Sequence, residues 1–525
     1  MRPSRPRPFR SADRHLCCGT RWNLLGSATS RARSRLDLFP MRRPARRSLR
    51  PAIALLVLAV VAPALVGLTT ATPSASASAT TGAVASGTTQ APVVVAARRS
   101  GFSLPDSVFN VPRPWGTKSE QSRLVRTVES AINKVPKKSR KNPDPTIAIS
   151  GYLLDRAISV TALIDACRRG VGIRVLLDED IINKNSRRLI SALNGDNVRG
   201  KNGTPKTGKC GRPLKKRSSG RVMAGSSGEE LQLMGREAAR SSLDQPLEAS
   251  KTWGRDRSYV KQCSGACRNA GDGGNMHTKM YLFSRTGKYR NVTMISSSNL
   301  NRGGMKAGWN DMVILKDRPK TYKYHLKVHR AMTKEVRADK DGLSKKDGPY
   351  LSRFFPIRKA GKAKDPVLAD LNKVKCNSGF GKTQINISMF YWAKKRGNWI
   401  ADKLLSLARQ GCKVSIIYGA PSRQIAGRLR EAAGRNLINL FDSRWDHNED
   451  GYNEVRTHGK YMLIKGNYRG DNKAKVVMTG SANWVGGSLR LSDESTINVD
   501  RAKVYNAYIK NWNVVRNHSR RLPYN

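Results

Sequence analysis

The hydrophobic positions of this chain follow the same order in two separate stretches. The first stretch predicts a helix at 119–133, a strand at 146–154, a helix at 162–169 and a strand at 173–178. The second predicts a helix at 365–374, a strand at 384–392, a helix at 402–409 and a strand at 414–419. Strands that alternate with helices, where a glycine follows the helix before the next strand, are typical of βαβ units.

The repetition predicts an α/β protein with two pseudo-symmetric halves, each a mixed sheet flanked by helices, packed around one central cleft. We assign residues 103–345 to the first half and 346–525 to the second. The first half carries an insertion at 186–276, which has no counterpart of similar length in the second. Excursions of this length are usually functional loops, so we expect the insertion to lie over the cleft as a lid.

The amino terminus has the three regions of an export signal. Five arginines between 42 and 50 precede an apolar run at 52–68, and alternating Ala and Ser at 75–79 offer cleavage sites. We predict a signal peptide over 41–79, with a single membrane anchor as the alternative, and therefore a secreted protein, with cell-surface association as a second option. Residues 1–40 are interpreted as an over-extended, disordered start, and residues 80–102 as a low-complexity linker.

Export changes the expected chemistry of the cysteines. Two of the eight, Cys17 and Cys18, precede the predicted signal peptide. The others are Cys167, Cys210, Cys263, Cys267, Cys376 and Cys412. Their even number suits up to three disulfides in an oxidising compartment. A metal at the Cys263/Cys267 pair is the less favoured alternative, because no second pair has zinc-finger spacing.

A polar constellation also occurs in both halves. A His-x-Lys motif opens a strand at His277 and Lys279, and again at His458 and Lys460. Each motif is followed by a β-rich run that ends in a Ser and an Asn. These residues are Ser297 and Asn299 in the first half and Ser481 and Asn483 in the second. A pair of polar residues then precedes another strand in each half, Asn310-Asp311 and Asp493-Glu494.

These residue types predict phosphodiester chemistry. Residues i and i+2 of a strand share a face, so His and Lys of each motif project together. One neutral histidine can attack phosphorus while the other, protonated, gives its proton to the leaving oxygen. Lysine and asparagine side chains would stabilise the charge on the phosphoryl oxygens. No carboxylate or histidine set with metal spacing accompanies the motifs, so we expect neither a metal nor another cofactor.

At these residues the chain resembles the phospholipase D superfamily, whose signature is a doubled H-x-K-x4-D followed by G-S-x-N. The resemblance implies two phospholipase D-like halves and a phosphohistidine intermediate. It implies that His277 is the nucleophile and His458 the general acid, and that Asp311 and Glu494 orient the histidines. The phosphate ligands would be Lys279, Lys460, Asn299 and Asn483, with further hydrogen bonds from Ser297 and Ser481. The chain departs from the signature at Ser284 and Lys465, where the family has Asp, and at Ser296, where it has Gly.

Charge bears on the substrate more than on the fold. The chain has 97 Lys and Arg against 38 Asp and Glu, a formal net charge of +59. Such an excess favours anionic partners, either a phospholipid membrane surface or nucleic acid. We therefore predict an exported, metal-independent phosphodiesterase that hydrolyses phospholipid head groups and acts as a monomer. The alternatives are a secreted nuclease with the same mechanism and a non-catalytic binder of anionic phosphate polymers.

Overall fold

The computed structural model describes residues 101–195, 258–269, 273–335, 337–338 and 342–523. The predicted signal peptide, the residues before it, and most of the linker and the insertion lie outside the described residues, and so does Cys210. The proposed lid over the cleft therefore lies largely outside them too. Within the described part of the chain, no helix has the length and apolar character needed to cross a membrane.

The described residues form twenty-one strands. Those of the first half are β1 (Ser107–Phe109), β2 (Thr146–Gly151), β3 (Gly172–Asp178), β4 (Tyr259–Cys263), β5 (Met280–Thr286), β6 (Tyr289–Ser296), β7 (Gly308–Trp309) and β8 (Asp311–Leu315). The next are β9 (Leu343–Asp347), β10 (Tyr350–Phe355), β11 (Val374–Lys375), β12 (Asn377–Ser378), β13 (Gly381–Lys382) and β14 (Gln384–Trp392). The last are β15 (Lys413–Pro421), β16 (Asn439–Asp442), β17 (Arg456–Thr457), β18 (Lys460–Tyr468), β19 (Asp471–Gly480), β20 (Glu494–Asp500) and β21 (Arg520–Leu522).

Helices lie between these strands. The α-helices of the first half are α1 (Lys118–Gln121), α2 (Arg123–Asn133), α3 (Ala157–Arg168), α4 (Lys184–Ile190), α5 (Arg302–Ala307) and α6 (Pro319–Met332). Those of the second half are α7 (Pro366–Leu371), α8 (Lys394–Arg409), α9 (Arg423–Gly434), α10 (Gly486–Arg490) and α11 (Ala502–Asn517). A π-helical turn at Ser191–Gly195 and a 3-10 turn at Lys362–Lys364 complete the set.

The two main sheets share one topology, which confirms the predicted pair of mixed α/β halves. The first sheet has the order β1-β8-β6-β5-β2-β3-β4, and the second contains the matching order β20-β19-β18-β14-β15-β16. In each sheet three neighbouring strands are parallel, β2, β3 and β4 in the first and β14, β15 and β16 in the second. The strands after each His-x-Lys motif, β5 and β18, pair antiparallel with the first of these.

A shared hydrophobic core joins the two halves. Ile295 and Val313 of the first sheet pack in one cluster with Leu463, Val477 and Ile497 of the second. Behind them, α11 contributes buried aromatic rings, including those of Tyr508 and Trp512. The halves therefore meet through β6, β8, β18, β19 and β20, the strands on which the polar motifs lie.

Four of the cysteines form two disulfides within the described residues. Cys263 bonds Cys267 at the end of β4, and Cys376 bonds Cys412 beside the parallel strands of the second sheet. The Cys263/Cys267 pair is thus a short disulfide loop in the structure and not a metal-binding pair.

Candidate active site

Each His-x-Lys motif has the same local geometry. Lys279 Nζ donates a hydrogen bond to the carbonyl of His277 at 2.6 Å, and Lys460 Nζ donates to the carbonyl of His458 at 2.5 Å. Both lysines are buried. Each ammonium is therefore held beside the histidine of its own motif, as strand alternation predicts.

An aromatic ring packs on each motif. Tyr152 directly follows β2, and its ring lies 5.3 Å from the His277 ring and 5.3 Å from Lys279 Nζ. Phe390 lies in β14, and its ring is 4.7 Å from the His458 ring and 4.8 Å from Lys460 Nζ. The sequence analysis missed this pair. The pair could have been predicted from the repeat, because Tyr152 and Phe390 occupy the same position in the repeated strand.

The two motifs meet across the contact between the halves. The His277 amide donates to the carbonyl of Asp493 at 3.0 Å, and the His458 amide donates to the carbonyl of Trp309 at 2.9 Å. A two-residue parallel pairing of β7 with β17 extends the second of these contacts. Each histidine is thus anchored to the segment that leads into a strand of the other half.

The ring nitrogens are also held across the halves. Nδ1 of His277 lies 3.0 Å from both carboxylate oxygens of Glu494, which is 1% exposed. Nδ1 of His458 lies 2.9 Å from Oδ1 of Asn310. Partners of this kind orient the ring and leave Nε2 for chemistry. The structure thus places the Glu494 carboxylate on the ring of His277.

Asp311 does not occupy its predicted place on a histidine ring. Its carboxylate accepts hydrogen bonds from the hydroxyls of Thr479 and Tyr508, the latter at 2.9 Å, and burial raises its pKa. The repeat explains the difference. The amide of Ser297 donates to Asp311 and that of Ser481 to Ser495, so the counterpart of Asp311 is Ser495.

The counterpart of Glu494 is therefore Asn310. Matching Asp311 with Glu494 because both are acidic places the two halves out of alignment by one residue. On a strand, a one-residue shift moves a side chain to the opposite face of the sheet. The side chain of Asp311 accordingly points into the contact with α11, and that of Asn310 reaches His458.

The predicted asparagine and serine ligands differ in their environments. Oδ1 of Asn299 is buried with no hydrogen-bond partner among the described residues, while Oδ1 of Asn483 accepts from the Tyr391 amide at 3.3 Å. The Ser297 and Ser481 hydroxyls each accept a hydrogen bond at 3.0 Å from the amide of the neighbouring strand, Asp311 and Ser495 respectively. In the structure these serines hold strand ends together.

Two of the three departures from the signature, Ser284 and Lys465, lie at the far ends of their strands. Ser284 Oγ accepts a hydrogen bond from the Thr146 amide at 2.8 Å, which ties β5 to β2. Lys465 Nζ lies 5.0 Å from the Phe380 ring. At ~3.3 Å per residue, each position is roughly 16 Å along the strand from the lysine of its motif. Both substitutions thus have local partners away from the histidines.

The cluster carries an excess of positive groups. Burial lowers the pKa of His277 and of His458, the latter well below its ordinary value. Burial also lowers the pKa of Lys279 to about 7 and that of Lys460 well below its usual range. Glu494 opposes these shifts at His277 and at both lysines. A bound anion would relieve the mutual repulsion, so the site suits a phosphoryl group.

Asp178 supports the first motif from the end of β3. Its buried carboxylate accepts a hydrogen bond at 2.8 Å from the amide of Met276, the residue before His277. Burial raises the pKa of Asp178 to about 6, and its charge favours the ammonium form of Lys279. The sequence analysis also missed this residue, although an acidic side chain at the carboxyl end of a parallel strand is a signal for a site.

One group of carboxylates in the described part of the chain is close enough to hold a metal. It consists of Asp446, Asp450 and Glu454, whose ligand atoms lie within 4.8 Å of one another. These residues belong to the segment between β16 and β17 and not to the histidine cluster. In the histidine cluster, the carboxylate of Glu494 contacts Nδ1 of His277.

Two like α/β halves that join paired His-Lys motifs define the phospholipase D class of phosphoryl-transfer proteins. The sequence matches the family model described as cardiolipin synthase, PLD-like domain, over residues 141–332 and 380–514. The chain belongs to this family, and the phospholipase D resemblance is confirmed. No curated protein matches the sequence.

Three solved structures are similar to this chain at low identity. A phosphatidylserine synthase from Haemophilus influenzae is 11% identical, with a TM-score of 0.42 over 79% of this chain and 87% of that one. The phospholipase D family member Nuc from Salmonella typhimurium is 18% identical, with a TM-score of 0.24 over 33% of this chain and 96% of that one. A polyphosphate kinase from Porphyromonas gingivalis is 12% identical, with a TM-score of 0.41 over 78% of this chain. This chain spans 50% of the length of that kinase.

Proposed function

We propose that this protein is an exported phosphodiesterase that hydrolyses phospholipid head groups through a phosphohistidine, without a metal. The observation that carries the proposal is the reciprocal support of the two histidines. Each ring is held at Nδ1 by the other half, and each has a buried ammonium beside it. Two oriented imidazoles in a cationic cluster match the needs of in-line phosphoryl transfer.

The reaction would take place in two balanced steps. Nε2 of neutral His277 attacks phosphorus, the bond from phosphorus to the leaving oxygen breaks, and Nε2–H of protonated His458 gives its proton to that oxygen. Neutral His458 then takes a proton from water as the water oxygen attacks the phosphohistidine. The phosphoryl group leaves His277, and both histidines return to their starting states.

The exposed apolar side chains favour a lipid substrate. Tyr452 is 75% and Trp445 43% exposed, and both lie in the segment between β16 and β17, which leads into His458. Tyr391 follows Phe390 directly and is 37% exposed. Tyr and Trp suit the boundary between membrane and water, because one end of each ring is apolar and the other polar. The two disulfides agree with an exported protein.

A secreted nuclease is the second candidate, and the net charge of +59 favours it. The same cluster would then cleave nucleic-acid phosphodiesters. The name of the family model adds a variant of the first candidate, since a synthase passes the phosphoryl group to an alcohol instead of water.

The test compares three substrates in the presence of EDTA. The purified protein is incubated with phosphatidylcholine vesicles, with the same vesicles plus glycerol, and with supercoiled plasmid DNA. We expect free choline and phosphatidic acid from the wild type, and none from His277→Ala. His447→Ala is the matched control, since His447 lies outside the cluster, and it should keep full activity.

The other outcomes would correct the proposal. Phosphatidylglycerol as the main product would assign a synthase, and plasmid nicking without choline release would assign a nuclease. Salt-dependent retention of DNA without cleavage of any substrate would indicate a binding protein. Activity that disappears with EDTA, or that persists in His277→Ala, would refute the mechanism.

A further inference from the structure

The two histidines have chemically different partners. His277 faces a carboxylate, Glu494, and His458 faces an amide, Asn310, although these partners occupy equivalent positions in the repeat. A carboxylate favours the imidazolium form of its histidine, and an amide oxygen does so far less. The fold therefore gives the two histidines different electrostatic environments.

The hydrogen bonds of Asn310 determine which end of its amide faces His458. Its Nδ2 donates to the carbonyls of Gly304 and Gly308, each at 3.0 Å. Both donor hydrogens are then used, so the atom near the ring must be the oxygen. This oxygen also receives the Ser297 hydroxyl at 3.1 Å. Since an amide oxygen only accepts, Nδ1 of His458 must carry the hydrogen.

We propose that Asn310 is the positioning residue of His458, fixing its Nδ1–H tautomer and, by carrying no charge, keeping it a stronger acid than His277. This inference rests on the phosphoryl transfer proposed above. The fixed tautomer leaves Nε2 of neutral His458 with a lone pair, so the atom facing substrate is the one that binds and releases the proton. A stronger acid protonates a departing alkoxide more readily.

The other charged groups around His458 act in the same direction. Lys460, Lys279, His277 and Arg456 all lower its pKa, as burial does. None of them supplies a negative charge to its ring. An amide at position 310 preserves this environment, whereas a carboxylate would oppose it and would also face the carbonyls that now accept from Nδ2.

The first test needs no variant and no substrate. Selective 15N labelling of histidine in the full chain gives the tautomer of each neutral imidazole, and the His458 signals are assigned by their loss in His458→Ala. We expect the Nδ1–H tautomer for His458 in the wild type and a mixture of tautomers in Asn310→Ala. A wild-type His458 protonated at Nε2 would overturn the proposal, whatever the protein hydrolyses.

The second test reads the acidity of His458 from the pH dependence of kcat/KM. The reactive form needs neutral His277 and protonated His458. Because His458 is the stronger acid, the pKa of His277 sets the basic limb of the profile and that of His458 sets the acid limb. Asn310→Asp should move the acid limb upward by about 1–3 pH units, because an opposite charge this close raises a histidine pKa by that amount. Asn183→Asp is the matched control, since the Asn183 amide also donates to a backbone carbonyl and contacts neither histidine. An unmoved acid limb in folded Asn310→Asp would refute the role of charge.

Discussion

Replacement of Glu494 by glutamine would remove a negative charge from beside His277, the proposed nucleophile, and leave the shape of the side chain unchanged. Both carboxylate oxygens lie 3.0 Å from Nδ1 of His277, and the side chain is 1% exposed. Hydrogen bonds to charged groups contribute about 1.5–3 kcal/mol, against about 0.5–1.5 kcal/mol for neutral ones. Since glutamine keeps a neutral hydrogen bond, we expect a loss of about 1.2 kcal/mol, the difference between the midpoints of these ranges, or roughly eightfold in kcat/KM.

The same replacement should also change the pH dependence of kcat/KM. Glu494 raises the pKa of His277 against the effect of burial, so its removal lowers that pKa further. In the proposed mechanism His277 attacks in its neutral form. Because its pKa is the higher of the two histidines, it sets the basic limb of the kcat/KM profile, and this limb should move to lower pH.

The assay is the pH profile of choline release from phosphatidylcholine vesicles, or of DNA nicking if that is the substrate. The matched control is Glu129→Gln, because Glu129 is also buried but binds Arg156 and Ser159 in the first half. This control should lower the melting temperature and leave the profile in place. A Glu494→Gln enzyme within about threefold of the wild type, or a basic limb at higher pH, would refute the reasoning.

Three further predictions test other parts of the site and fold. Lys279→Met should lower kcat/KM by about 100-fold and abolish the rise in melting temperature with added inorganic phosphate, and an unchanged rise would contradict a phosphate role. Asp178→Asn should remove the part of the acid-side loss of kcat/KM that lies near pH 6. The Asp178 carboxyl has a pKa of about 6, so below that pH it loses its charge and no longer supports the ammonium form of Lys279. A wild-type pH profile in Asp178→Asn would contradict this. Replacing Cys376 and Cys412 by serine should cost about 4 kcal/mol of unfolding free energy by loop entropy, given their separation of 36 residues, and leave the pH profile unchanged.

The strands were predictable because their signals are local. The structure has β14 at Gln384–Trp392, which agrees with its predicted range, and β2 ends at Gly151. Buried parallel strands appear in the sequence as nearly continuous apolar runs, since helices or other strands cover both faces. The doubling of the His-x-Lys motif likewise predicted which histidines and lysines lie together, because the repeat is visible in the sequence without any knowledge of packing.

The starts of helices and the partners of the histidines were less predictable. The helix expected from 402 begins at Lys394 and so includes Gly397. This glycine packs on Trp392, since a Cβ at position 397 would lie 2.7 Å from Cδ1 of that ring. The contact of Asn310 with His458 depends on the register of β8 against β6, which arises from pairing between distant segments. Only that pairing reveals that the functional match of Glu494 is an amide.

The reciprocal anchoring of the histidines has a consequence for the history of the duplication. Each half supplies the side chain that holds Nδ1 of the other half's histidine. A change in one half along this contact therefore affects the histidine of the other half. Cores and outer loops are free to diverge, as the long insertion in the first half shows. Along this contact the copies have become unequal in a coordinated way, with Glu494 on one side and Asn310 on the other.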